Sequence, residues 1–375
     1  MVFRRPEKNI ILCGCFVLIL LAAQSCMKKE IAVADKLLSS KYPADGPGAA
    51  VAILKDDQII FSKEYGLADL VSKNPVSAST NFNICSLTKQ FTAYAILKLE
   101  YEKKLSLDDK IEKYFPDFNP DVASAITIRQ LLSHSSGLID HYDYADRKSK
   151  TQFYDADALN AVKSVDSVYF PAGKGYRYSN TAFCLLSQII EKVSGLSYPQ
   201  YIRENIFKPL GMDNSDVIHG DLKIPERATG YQKENNHFVR SDASENFFFS
   251  TMGDGGIYTS ADEYLKWIRA IMNSSVLNPE LISDAQSPHK LIDSSKNLSY
   301  GYGWFITGTG KNKTVFHTGS NGGFRTIVFT IPSIKYAVII FSNQSGVDLE
   351  QLVNEINKIF ITDPVNYIRL DSLIS

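Results

Sequence analysis

The stretch Asn83-Ile84-Cys85-Ser86-Leu87-Thr88-Lys89-Gln90-Phe91, continuing through Thr92-Ala93-Tyr94-Ala95-Ile96-Leu97-Lys98-Leu99, constrains this chain more than any other. Leu87, Phe91, Tyr94, Ala95, Ile96, Leu97 and Leu99 put apolar groups on nearly every side of a helix, so the spacing predicts a helix that is largely buried. An ammonium is costly in such a place unless it is paired or loses its proton, so Lys89 needs a reason to be there. Ser86 supplies one. It precedes Lys89 by one turn, on the same face. A serine hydroxyl is a poor nucleophile until a base takes its proton, and an amine can be that base. Ser86 also falls at the expected helix start, where free N–H groups and the positive dipole end favour a developing anion.

Ser-x-x-Lys is a weak pattern alone. Two more copies occur, Ser25 to Lys28 and Ser287 to Lys290. Neither opens a long apolar helix, and the second contains a proline.

At 375 residues the chain can bury a sizeable core as one large domain or two interleaved lobes. A net charge of −1 and the lack of any basic cluster beyond the N-terminus argue against a nucleic-acid partner. Arg4, Arg5 and Lys8, followed by the apolar run Ile10 to Ala23, read as a secretory leader over residues 1–25. Ala23-Gln24-Ser25-Cys26 resembles a bacterial lipoprotein cleavage box, although Gln24 and Ala23 depart from its usual residues. Cys26 would then be the acylated first residue of the mature chain. That places the protein outside the cytoplasm, periplasmic or on the cell surface, held to a membrane by lipid. Cys85 and Cys184 remain, each within an apolar segment, and are expected to be free thiols.

Downstream, the pattern predicts a helix over Lys28 to Tyr42 and a hairpin of Ala49–Leu54 with Gln58–Tyr65, then a loop from Gly66 to Thr80. Helices follow the nucleophile stretch. Ser106-Leu107-Asp108-Asp109 and Thr127-Ile128-Arg129-Gln130 read as capped starts, and Asp155–Ser164, Thr181–Val193 and Pro199–Ile206 as further helices. Gly253-Asp254-Gly255-Gly256 is a glycine-rich turn before a helix from Ala261 to Met272. Strand-like runs come next, at Gly301–Thr307, Thr314–His317, Thr326–Ile331 and Tyr336–Ser342, with a last helix at Asp348–Phe360. The expected fold is α+β. An antiparallel sheet is built from both the N- and C-terminal parts and flanked by helices, and an all-helical lobe is inserted. Residues 26–375 would form one domain, with an α/β lobe over about 28–100 and 253–375 and a helical lobe over about 101–252.

Two further patterns carry chemistry. Tyr178-Ser179-Asn180 is the only Tyr-x-Asn in the chain, and in extended backbone its phenol and amide face one side. Ser179 or Asn180 would also serve as the cap of the following helix. His317-Thr318-Gly319-Ser320 ends a strand, where glycine lets a second backbone approach closely. The N–H after Gly319 could complete an oxyanion hole with that of Ser86.

Together the three patterns resemble the serine β-lactamase and penicillin-binding protein superfamily, above all its class C β-lactamase-like branch. Ser86-Leu87-Thr88-Lys89, Tyr178-Ser179-Asn180 and His317-Thr318-Gly319 match the family's three motifs in order. Leu131 to Leu138, Phe207 to Met212 and Gly301 to Trp304 resemble its intervening landmarks. The resemblance implies an acyl-enzyme on Ser86, with Lys89 and Tyr178 sharing the proton transfers and Asn180 holding Lys89 and the substrate amide. The N–H groups of Ser86 and Ser320 would bind the oxyanion, and Tyr178, its pKa lowered by Lys89, would activate water. It implies no cofactor and no metal. Where β-lactamases usually carry lysine, this chain has His317, expected to bind a substrate carboxylate only when charged.

The expected activity is therefore hydrolysis of an amide or ester. The substrate would be a small molecule or peptide, such as a D-amino-acid peptide derived from peptidoglycan, or a β-lactam. D,D-peptidase, D-aminopeptidase and carboxylesterase activities fit the same residues. The alternative from another class is an acyl-binding sensor that is acylated and does not turn over. No Gly-x-Ser-x-Gly elbow, zinc-helix signature or clustered histidine site points elsewhere, and His134 reads as a loop hydrogen-bonder. The walls of the cleft are expected between Leu210 and Asn246 and between Leu291 and Leu298.

Overall fold

The computed structural model describes residues 27–145, 151–220, 222–242, 247–273 and 276–361. The leader and Cys26 lie outside them.

A helix over residues 27–41 (α1) leads into the strands Ala49–Lys55 (β1) and Gln58–Tyr65 (β2). Asp56 and Asp57 join these strands with φ +51° and +66°, the left-handed pair that a two-residue hairpin needs. Thr88–Tyr101 (α2) is the helix that follows Ser86, and all but Lys98, Glu100 and Tyr101 of it is buried. Phe91 anchors it against a distant helix, stacking on Trp267 at 4.3 Å between ring centroids.

Asp155–Val162 (α3) and Asn180–Ser194 (α4) come from the middle of the chain and Ala261–Asn273 (α5) from beyond it. Six more strands follow: Lys290–Asp293 (β3), Leu298–Tyr300 (β4), Phe305–Thr307 (β5), Thr314–Asn321 (β6), Phe324–Ile331 (β7) and Tyr336–Ser342 (β8). Leu349–Phe360 (α6) is capped by Asp348, whose carboxylate accepts from the N–H of Gln351.

All eight strands form one antiparallel sheet in the order β3-β4-β5-β6-β7-β8-β1-β2. The period of two divides its side chains between two cores. Ala49, Val51, Ile53, Val338 and Ile340 face α1 and α6. Ala50, Ala52, Leu54, Ala337, Ile339 and Phe341 face α2 and α5. The alanines on that second face let α5 lie close, and Tyr264 meets Phe341 edge-on at 5.3 Å.

The α+β class with a sheet made from both ends of the chain holds. Its inserted section is not purely helical. Asp216–Val217 and Phe82–Asn83 flank Ile257–Thr259 in a small second sheet, and Tyr231–Glu234 pairs with His237–Arg240. Gly66–Thr80 also holds a short hairpin, Leu67–Asp69 with Asn74–Pro75. After Ser106 only a single 3-10 turn forms, Ile111–Lys113, because the N–H of Ile111 is taken by the Ile126 carbonyl at 3.0 Å. The run Gly301–Thr307 is broken by a turn in which Gly301 N–H donates to the Trp304 carbonyl at 2.8 Å. Gly303 there sits at φ +78° with its Cα against the backbone of α2, a place only glycine fits.

Candidate active site

Ser86 lies in the 3-10 turn Cys85–Leu87 that runs directly into α2. Its predecessor Cys85 holds φ +51°, a strained conformation for a residue with a side chain, worth ~1–2 kcal/mol. Local bonds hold it there. The N–H of Cys85 donates to Asn83 Oδ1 at 2.7 Å, and Thr326 Oγ1 on β7 donates to the Ile84 carbonyl at 2.8 Å. The result is a half-buried hydroxyl presented at the start of a buried helix.

Lys89 is completely buried and its side-chain nitrogen has three partners. Nζ lies 2.8 Å from Asn180 Oδ1, 2.9 Å from the Asp254 carbonyl and 3.1 Å from Ser86 Oγ. The first two can only accept hydrogen bonds, so they fix two N–H directions. The third direction points at a hydroxyl, which can accept from an ammonium or donate to an amine. Proton exchange between Ser86 and Lys89 therefore needs no rearrangement.

The segment before α4 completes the cluster. Ser179 is the helix cap, its Oγ accepting from the N–H of Ala182, and the N–H of Asn180 donates to Asp140 Oδ2 at 2.8 Å. Capping thus falls to Ser179 and leaves the Asn180 amide for Lys89. Lys89 Nζ is also 4.9 Å from the centre of the Tyr178 ring. Burial pushes the Tyr178 phenol up, against the charge of Lys89 and the hydrogen bonds of Ser86 and Lys89, which pull it down. The expected lowering by Lys89 is present but burial outweighs it, so the resting phenol keeps its proton. Below it, the His134 ring packs at 4.3 Å from the Tyr178 ring, and its Nδ1 accepts from the N–H of Ser179 at 3.1 Å.

On the sheet side, a Cβ at Gly319 would stand 2.7 Å from the Ile84 carbonyl oxygen and 2.8 Å from Cys85 Cβ. β6 therefore rests directly on the nucleophile turn. Pairing with β5 ends at Phe316, so from His317 onward β6 has no strand on that side among the described residues. Thr318 is half-buried and Ser320 exposed there.

His317 does not behave as expected. It is fully buried; its Nδ1 lies 2.7 Å from the Thr318 carbonyl, which only accepts, so Nδ1 carries the proton. Nε2 then accepts from the Tyr300 hydroxyl at 3.0 Å. Burial, then the charge of Lys89, pushes its pKa down to about 3. Neither ring nitrogen is left for a substrate carboxylate, and the ring is neutral.

Cys85 and Cys184 are free and buried, and burial pushes the Cys85 thiol up to about 12, far from a thiolate nucleophile. The structure thus gathers Ser86, Lys89, Tyr178 and Asn180, and sets β6 beside them. Sequence reasoning missed the Asp254 carbonyl and Asp140. The glycine-rich turn at 253–256 was the available signal for the first; a single aspartate in a loop gives none.

A sequence profile described as Beta-lactamase matches residues 39–358. Penicillin-binding protein 4* of Bacillus subtilis (strain 168) is 28% identical over 342 residues, covering 87% of this chain and 74% of that one. Protein flp of Staphylococcus aureus (strain MW2) is 29% identical over 336 residues, 88% of this chain but only 65% of its own length. Among solved structures, the octameric penicillin-binding protein homologue from Pyrococcus abyssi superposes with a TM-score of 0.75 at 26% identity, covering 88% of this chain and 76% of that one. The D-amino acid amidase of Ochrobactrum anthropi SV3 shares the fold, with a TM-score of 0.73 at 22% identity over 89% of this chain and 98% of its own. On this match, and on the fold and site geometry above, the chain belongs to the beta-lactamase family.

Proposed function

We propose that the protein is an exported serine hydrolase that forms an acyl-enzyme on Ser86 and turns over a neutral amide or ester, the amide of a D-amino acid or D-peptide foremost. The observation that carries this is the three-partner setting of Lys89, which leaves one direction open to the Ser86 hydroxyl.

In the reaction, Ser86 Oγ attacks the carbonyl carbon and its proton enters the Lys89–Tyr178 pair. That pair holds the same number of protons written as amine plus phenol or as ammonium plus phenolate. The Tyr178 hydroxyl then delivers a proton to the leaving nitrogen or oxygen. The carbonyl oxygen, negative in between, is held by the N–H groups of Ser86 and Ser320. A water molecule attacks the acyl group and gives its proton to Tyr178, and Lys89 returns a proton to Ser86 as the acid leaves. Asn180 keeps Lys89 in line throughout.

The neutrality of His317 supports the choice of substrate. A buried imidazole with both nitrogens engaged offers no cation for the carboxylate of a penicillin or a C-terminal acid. The D-amino acid amidase sharing this fold, solved also with L-phenylalanine amide, supports an amide as the substrate class. Lipid on Cys26 would hold the enzyme at a membrane facing such compounds.

Purified mature protein should be assayed on a D-amino-acid amide, a D-Ala-D-Ala peptide, a short-chain ester and a chromogenic cephalosporin, with Ser86→Ala as control. Turnover of the amide or ester should exceed that of the cephalosporin and vanish in Ser86→Ala. A stoichiometric burst without turnover on any of them would favour the acyl-binding sensor. Failure of a fluorophosphonate to label Ser86 would overturn both.

A further inference from the structure

Asp155 opens α3, is fully buried, and no ion pair reaches it among the described residues. Its carboxylate instead gathers the backbone of the turn carrying Asp254. Oδ1 accepts from the N–H of Met252 at 2.8 Å, and Oδ2 from the N–H of Gly253 at 3.0 Å and from the Ser187 hydroxyl. From the opposite side α2 grips the same turn. Thr92 Oγ1 donates to the Gly253 carbonyl at 2.7 Å, and the N–H of Ile257 donates to Thr88 Oγ1 at 3.2 Å. Gly253 is closely packed, since a Cβ there would stand 2.4 Å from the Phe183 carbonyl oxygen. Between these two grips, the Asp254 carbonyl meets Lys89 Nζ.

Ligand-type atoms of Asp155, Cys184 and Asp254 lie within 4.8 Å of one another. Both Asp155 oxygens are already taken up by N–H and O–H donors, so this carboxylate works on the backbone rather than on an ion. Burial, with Asp254 beside it, pushes Asp155 up to about 7. A carboxyl kept in so unfavourable a place calls for a task that an apolar residue could not perform.

We propose that Asp155 is a positioning residue for the Ser86–Lys89 pair, acting through the turn that aims the Asp254 carbonyl at the lysine. The inference rests on the acyl-enzyme reading above. Asparagine at this position would set an N–H₂ group against one of the two backbone donors, and the turn would slip relative to α2. Lys89 would then lose one of the two acceptors that hold its third direction on the serine.

The test uses the full mature protein and reads the rate of fluorophosphonate labelling at Ser86, together with kcat and KM on the best amide or ester substrate. Asp155→Asn should slow labelling and lower kcat about tenfold or more with KM within about twofold. In a Lys89→Ala background the same substitution should change the labelling rate by less than about twofold, since its effect passes through the lysine. Thr92→Val, which loosens the turn from the other side, should give the same kcat loss should Asp155→Asn fail to fold. Ser187→Ala, which removes only a hydroxyl donor, should stay within about twofold of the parent. Unchanged labelling in both turn variants, or equal losses with and without Lys89, would overturn the inference. A parent protein that never labels at Ser86 would overturn the acyl-enzyme reading instead.

Discussion

The Asn180 side-chain oxygen stands 2.8 Å from Lys89 Nζ, joining the start of α4 to the first turn of a buried helix from a distant part of the chain. Asn180→Ala removes this acceptor and leaves the Asp254 carbonyl as the one carbonyl holding the lysine nitrogen. The expected result is a loss of roughly 10²-fold in kcat, with KM little altered. Steady-state kinetics check this, and a variant as fast as the parent would show that Asn180 merely fills space.

Tyr178→Phe keeps the ring, and with it the contacts to His134 and Tyr300, but removes the hydroxyl. Turnover should fall ~100-fold or more while the circular-dichroism spectrum and thermal midpoint stay near those of the parent. Rapid quenching separates the steps. Both acylation and deacylation should slow, because one hydroxyl serves the leaving group and then the water.

Gly319→Ala brings a methyl group within 2.4 Å of Thr326 Oγ1 and 2.7 Å of the Ile84 carbonyl oxygen. The two atoms also bond each other, so relief must come by moving β6 away from the nucleophile turn. We expect a stability loss of ~1–3 kcal/mol and an activity loss much larger than that destabilisation explains. Denaturant unfolding alongside kcat/KM measures both; full activity in the variant would contradict the packing described.

Acid should destabilise the fold through two histidines. Burial holds His134 well below its ordinary range and His317 at about 3, whereas the unfolded chain titrates both at ~6.5. Between those values the unfolded state binds protons that the folded state refuses. Their contribution is therefore intact above pH ~6.5 and is lost as pH falls below it, for His317 down to about 3 and by up to ~1.4 kcal/mol per unit for that ring. Asp155, raised to about 7, has the opposite sign: its contribution is present at low pH and lost as pH rises through 7. In a comparison of the parent with His317→Asn the aspartate cancels. The variant's unfolding free energy should fall less steeply between about pH 6.5 and 4.5; parallel curves would argue that His317 is charged in the folded protein.

Much of this is legible in the sequence. The buried helix, the strands at both ends and the caps at Thr127 and Ser179 follow from spacing and local chemistry, and Ser86, Lys89, Tyr178 and Asn180 do meet. What escaped prediction depends on distant partners. Whether a histidine sits in water or between Tyr300 and its own backbone is set by packing, so the sequence alone presents His317 as a titrating cation. The same holds for Tyr178, where a nearby lysine was visible and the depth of burial was not. The strand at 216–217 is two residues long and pairs with a distant one, and the hairpin of 231–234 with 237–240 is short and largely polar, so no periodicity announces them.

Placing β1 between β2 and β8 has a consequence for how the molecule comes into being. The first strand to be synthesised obtains one neighbour at once and must wait for its other until nearly the whole polypeptide has emerged. β6, on which the nucleophile turn leans, arrives equally late. A chain cut short during synthesis would carry Ser86 without the strand that packs on its turn, so the complete cluster exists only once β6 and β8 have been made.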